Sequence, residues 1–188
     1  MPDLRNARQS VFADRAFSAG KTRISPLPAS ARFIFRGRDG AVDAAGSAFS
    51  VALPRQACRA AASGSRAALW LGPDEWLLLA DPDECAAVEA ALTAALAGQK
   101  HSLVDVSHRN TSFALSGPDA VLALNSACLL DLDPAAFPVG MCTRTVFGKA
   151  ELMLWRTDAT RFHVELWRSF VSYVTELLEQ ALGELEAG

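Results

Sequence analysis

Asp105, Ser107 and His108 supply the three residue types of a nucleophilic triad within four consecutive positions. A working triad needs serine, base and carboxylate to converge from separate elements so that their hydrogen bonds align. Along one strand Asp105 and Ser107 share a face while His108 points to the other, so the trio predicts a strand end whose polar groups satisfy backbone or an interface. Gly20-Lys21-Thr22 matches the tail of a phosphate-binding loop, in which backbone amides and a lysine neutralise a nucleotide's phosphates. The leading glycine of that loop belongs at position 15, where Arg15 stands, and no strand pattern precedes it. His101, His108 and His163 lack the paired spacing of a zinc site. Cys58, Cys85, Cys128 and Cys142 contain no CxxC pair and predict reduced, mostly buried thiols. No residue is assigned to catalysis, to a cofactor or to a metal on these patterns.

The aromatic residues are better placed for contact than for chemistry. Trp70 and Trp76 flank a Gly72-Pro73-Asp74 turn, and Trp155 and Trp167 fall in or at the end of late strand patterns. Tryptophan at a strand edge is either core or an interface anchor, because its ring buries a large area while its N–H still needs an acceptor.

The elements that must position these residues alternate between two periods. Ala67–Gly72 and Glu75–Ala80 predict a hairpin, and residues 55–65 before it a loop. Val42, Ala45, Phe49 and Ala52 recur at helical spacing up to Pro54, and Val88, Ala91, Leu92, Ala95 and Leu96 do so up to Gly98. Residues 101–106 and 111–116 predict strands, followed by a helix carrying Val121, Leu122 and Leu124. Three further strand patterns, 142–147, 151–155 and 162–167, lead to a closing helix from Ser169 with Gly183 as its stop. Strands that follow one another directly favour antiparallel pairing, so the fold class is α+β with mostly antiparallel sheets and packed helices.

The chain has 188 residues, 51% of them hydrophobic, and a net charge of −3. That composition supports a buried core and excludes wholesale disorder. No apolar run approaches the ~20 residues of a membrane-spanning helix. Residues 1–38 hold eight basic against two acidic residues, a net of +6, which leaves −9 on the remainder. With Pro26 and Pro28 closing it, the segment 1–30 reads as a flexible basic arm, suited to steering the chain to an acidic partner surface. An acidic body with no recognisable binding module argues against nucleic acid.

Together LGPDEWLLL (71–79), DVSHR (105–109), GPDA (117–120) and RSFVSY (168–173) resemble the gamma subunit of heterotetrameric sarcosine oxidase. The stretch 105–120 is also similar to folate-binding domains of the glycine-cleavage T-protein group. The resemblance implies an internally duplicated, T-protein-like domain over 31–188, with halves at about 31–100 and 101–183. It implies a cytoplasmic, non-catalytic subunit packing against the large (alpha) subunit, with beta and delta subunits beside it. The complex oxidises sarcosine to glycine, passes the methyl carbon to tetrahydrofolate and forms hydrogen peroxide. FAD, FMN, NAD and tetrahydrofolate then belong to the complex, with none in this chain. Expected contacts are Trp70, Pro73, Asp74 and Trp76 in the hairpin, Asp105, Ser107, His108 and Arg109 in the central motif, and Arg168, Ser169 and Phe170. The alternative is a free-standing folate-binding or aminomethyltransferase-like one-carbon protein, for which Glu151 is the acid on offer.

Overall fold

The computed structural model describes residues 16–187. They form two compact units, one made of Ala29–His108 and the other of the described residues up to Pro28 together with those from Arg109 onward.

In the Ala29–His108 unit, β3 (Ala31–Gly37) leads into α1 (Gly40–Phe49), then β4 (Ala60–Ser63), β5 (Arg66–Gly72) and β6 (Glu75–Ala80), α2 (Cys85–Ala95) and β7 (His101–Asp105). The sheet runs β4-β5-β6-β3-β7 and every pairing is antiparallel. Phe33 and Phe35 alternate along β3 onto the face covered by α1 and α2, where they meet Phe49, Trp76, Leu78, Val88 and Leu92. Each such side chain removed from water stabilises the unit by roughly 1.5–3 kcal/mol. Ser50 in the left-handed region (φ 60°) ends α1, and the Asp81 carboxylate accepts the Asp83 amide to start the turn into α2.

The other unit begins with β1 (Phe17–Ala19) and β2 (Thr22–Pro26) and continues with β8 (Asn110–Ser116), α3 (Ala120–Asn125), β9 (Cys142–Phe147), β10 (Ala150–Asp158), β11 (Arg161–Trp167) and α4 (Val171–Ala187). Its antiparallel sheet runs β1-β2-β8-β11-β10-β9. Phe113, Leu115, Leu152, Leu154, Phe162 and Val164 form the core with Val174, Leu178 and Leu182 of α4.

The two units repeat one plan. A strand, then a strand, helix, three-strand meander and helix occur twice along the chain, and in each half the leading strand (β2 or β7) joins the sheet of the other half. The exchange is matched in detail: Leu27, just after β2, donates to the Ser112 carbonyl at 3.1 Å, and Val106, just after β7, donates to the Arg32 carbonyl at 2.8 Å. The expected α+β class therefore holds, and the second run of elements begins with β7 at His101. Because the leading strands are exchanged, the compact units have their boundaries at 28/29 and 108/109.

Three local expectations need correction. Residues 17–26, assigned to a flexible arm, are strands of the six-stranded sheet, and the rest of that arm up to residue 15 lies outside the described residues. Residues 55–65, read as loop, contain β4, whose alanines have little intrinsic strand preference and are held by pairing with β5. Gly183 does not stop α4, which continues to Ala187. An interior glycine costs a helix only about 1 kcal/mol, and the Gly20 amide in the β1–β2 turn bonds to Glu186 beyond it at 3.1 Å.

Candidate partner-contact site

The hairpin residues separate into core and surface. Trp70 and Trp76 are cross-strand partners, yet Trp76 is only 2% exposed. Its indole N–H donates to the Pro54 carbonyl at 2.8 Å and its ring lies 5.8 Å from that of Phe35. The expectation of Trp76 as a contact is thus corrected to a core role: the face of β6 that carries it is covered by α1 and α2. Trp70 is half-buried, and Pro73 is exposed at the turn. Asp74 is engaged within the chain, 3.1 Å from the Arg38 guanidinium and 3.5 Å from that of Arg36. The Arg38 hydrogen bond, reinforced by Arg36, holds the Asp74 carboxyl below its ordinary range. These groups line an open cleft of about 550 Å3 with Lys100 and His101.

In the central motif, Asp105 ends β7 and its Oδ1 accepts both the amide (2.8 Å) and the hydroxyl of Ser107, an Asx-type turn. The Ser107 Oγ in turn accepts the Arg32 amide at 2.9 Å. Ser107 is 7% exposed, so it is corrected from contact residue to a buried brace. Its hydroxyl proton is committed to Asp105. Asp105 and His108 are exposed. The motif is therefore the lock on one crossover between the exchanged strands.

Arg109 begins the other unit, and there the expected residues do converge. Trp167, at the end of β11, pairs with Asn110 at the start of β8. The Arg109 guanidinium lies 5.5 Å over the Trp167 ring, and its carbonyl accepts the Arg168 amide at 3.0 Å. A single 3-10 turn, Arg168–Phe170, brings the Phe170 ring to 6.3 Å from Trp167. Arg109, Ser169 and Trp167 are exposed, Trp167 by 42%, while Arg168 and Phe170 are half-buried. Trp167 stood outside the expected contacts. Its place at a strand end was visible, but its partnership with a residue 58 positions away was not.

Residues 37–184 match the family described as "Sarcosine oxidase, gamma subunit family". The chain belongs to that family. It is 35% identical over 146 residues to the sarcosine oxidase subunit gamma of Corynebacterium sp. (strain P-1), covering 77% of this chain and 71% of that protein. It is also 35% identical over 138 residues to the Arthrobacter sp. subunit gamma, covering 73% and 67%. Among solved structures it superposes on a chain of the heterotetrameric sarcosine oxidase from Corynebacterium sp. U-96, at TM-score 0.82 and 29% identity over 90% of this chain and 89% of that one. The glycine cleavage system aminomethyltransferase T from Bartonella henselae shares the fold alone, at TM-score 0.66 and 14% identity over 85% of this chain and 46% of that one.

For this gamma-family chain, several sequence signals have structural rather than chemical explanations. Gly20-Lys21-Thr22 is the β1–β2 turn, not a strand–loop–helix phosphate cradle. Thr22 is fully buried; its hydroxyl donates to the Asp119 carboxylate at 3.2 Å and accepts the Asp119 amide at 3.1 Å. That pairing explains GPDA as well, since a Cβ on Gly117 would lie 2.5 Å from the Lys21 carbonyl. His163 Nε2 meets the buried Glu165 carboxylate at 2.9 Å, a pair at sequence separation two that one strand face aligns. Glu151, the acid offered by the T-protein resemblance, is an exposed position on β10. Three of the four cysteines are buried and none forms a disulfide. Among the described residues no cluster of three His, Cys, Asp or Glu side chains is arranged to hold a metal, and no helix is long and apolar enough to cross a membrane.

Proposed function

We propose that this chain is a non-catalytic, cytoplasmic subunit of a heterotetrameric sarcosine oxidase, packing against the large (alpha) subunit with beta and delta subunits completing the assembly. In that complex sarcosine is oxidised to glycine, the methyl carbon passes to tetrahydrofolate and hydrogen peroxide is formed. FAD, FMN, NAD and tetrahydrofolate reside on the other subunits. The observation that carries this reading is the likeness along nearly the full length of both chains to a chain of the Corynebacterium oxidase. The exposed residues of the expected contact segments (Pro73, Asp105, His108, Arg109 and Ser169), with the half-buried Trp70, Arg168 and Phe170 beside them, are the surface offered to partners.

Co-expression with the three companion subunits of its own oxidase, followed by size-exclusion chromatography, tests the proposal. A stoichiometric four-subunit species that forms peroxide from sarcosine supports it. A chain that elutes alone and binds tetrahydrofolate in calorimetry supports instead the free-standing one-carbon protein.

A further inference from the structure

We infer that the surface formed by Arg109, Trp167 and Phe170 receives an aspartate or glutamate side chain from a different subunit of the same oxidase, an inference that rests on the subunit reading above. The Arg109 Nε donates to Asn110 Oδ1 at 3.1 Å and its guanidinium carbon lies 5.5 Å from the centre of the Trp167 ring, over its face. Its two terminal nitrogens carry no hydrogen bond, and no carboxylate pairs with it, among the described residues. An arginine anchored at Nε and resting over a ring presents its two terminal nitrogens in the fork geometry that matches a carboxylate. The half-exposed Trp167 ring beside it offers apolar area to the same incoming side chain, and exclusion of water there strengthens the ion pair. Arginine with tryptophan is the composition of an energetically dominant contact. A second copy of this chain is a poor occupant, because apposing identical surfaces sets Arg109 and Arg168 against their own like charges.

The test uses the full chain and the three companion subunits purified without it, with affinity measured by interferometry across ionic strength. Arg109→Gln and Arg109→Glu should weaken binding by at least tenfold, Arg109→Lys by less, and Trp167→Ala by at least tenfold. The Arg109→Gln variant should also flatten the salt dependence. Lys100→Glu, a charge reversal in the other unit, should bind as the unaltered chain does. Thermal denaturation confirms that each variant is folded, and the exposed Arg109 variants keep the test decisive if Trp167→Ala is unstable. Unaltered affinity and salt dependence in folded Arg109→Gln and Arg109→Glu overturn the inference alone. Failure of the unaltered chain to join the three subunits overturns the subunit reading, and this inference with it.

Discussion

The hydroxyl of Tyr173 accepts a hydrogen bond from the Lys149 amide at 3.1 Å, tying α4 to the β9–β10 turn. Gly148 beside it has φ +58°, and a Cβ built there would fall 2.4 Å from the same hydroxyl. RSFVSY thus serves two ends: Phe170 meets Trp167, and Tyr173, the only tyrosine of the chain, holds a hairpin turn. Tyr173→Phe should destabilise the fold by about 1 kcal/mol. Gly148→Ala should cost more, adding left-handed backbone strain to the clash. The double variant should fall short of the summed losses, because removing the hydroxyl relieves the clash; strictly additive urea midpoints would refute this.

Ser107→Ala should cost about 1–3 kcal/mol, since it leaves the Arg32 amide without its acceptor near a buried crossover. The assembled oxidase carrying this variant should turn over sarcosine at the unaltered rate per complex. A loss of turnover without loss of assembly would restore a chemical role to the serine.

Arg156, 3% exposed, has its guanidinium bonded to the carbonyls of Leu132, Phe137 and Ala159 and lying 5.1 Å over the Phe162 ring. It pins the irregular segment between α3 and β9 onto β10. Arg156→Met should destabilise by on the order of 3 kcal/mol, because several buried carbonyls lose a charged donor at once. Arg156→Lys, which keeps the charge but not the fork, should recover less than half of that by chemical denaturation.

Asp74 couples stability to acid. Its carboxyl is held below the ordinary range by Arg38 and Arg36, so the folded chain binds that proton more weakly than the unfolded one. Such a group contributes stability that is fully present above the unfolded pKa, about 4, and is lost as pH falls through the lower folded value. Asp74→Asn should lower Tm by a constant amount between pH 6 and 8 and by progressively less below pH 4. Added salt should shrink the difference, because Arg38 is exposed and Asp74 only half-buried, so that ions reach the pair. A pH-independent difference would remove the ion pair as its cause.

Much of the fold was legible because it rests on local chemistry. The period-two apolar runs at 67–72 and 75–80 and the Pro73-Asp74 turn needed no distant partner to predict β5 and β6. The same locality explains the errors. β4 is three alanines and a serine, and nothing in them specifies a strand until β5 supplies the hydrogen bonds. Trp76 and Trp70 look alike from sequence and, as cross-strand partners, share one sheet face; only the packing of the rest of the unit buries Trp76 and leaves Trp70 half-buried.

The basic segment shows the division most sharply. Its charge was plain in the composition, and from composition it read as an arm for a partner. In the folded chain Arg23, within the expected arm of residues 1–30, lies in β2, while of the basic residues just beyond that arm Arg32 is buried and Arg36 and Arg38 bind Asp74. Composition and periodicity by themselves determined the α+β class, the repeated order of elements and the motifs that carry the family likeness, because each depends on neighbours within a few residues. Only the tertiary structure decided that the halves exchange their leading strands, that Ser107 braces a crossover, and that Arg109 stacks on Trp167. Those depend on pairings between segments far apart along the chain, and no local preference encodes which segments meet.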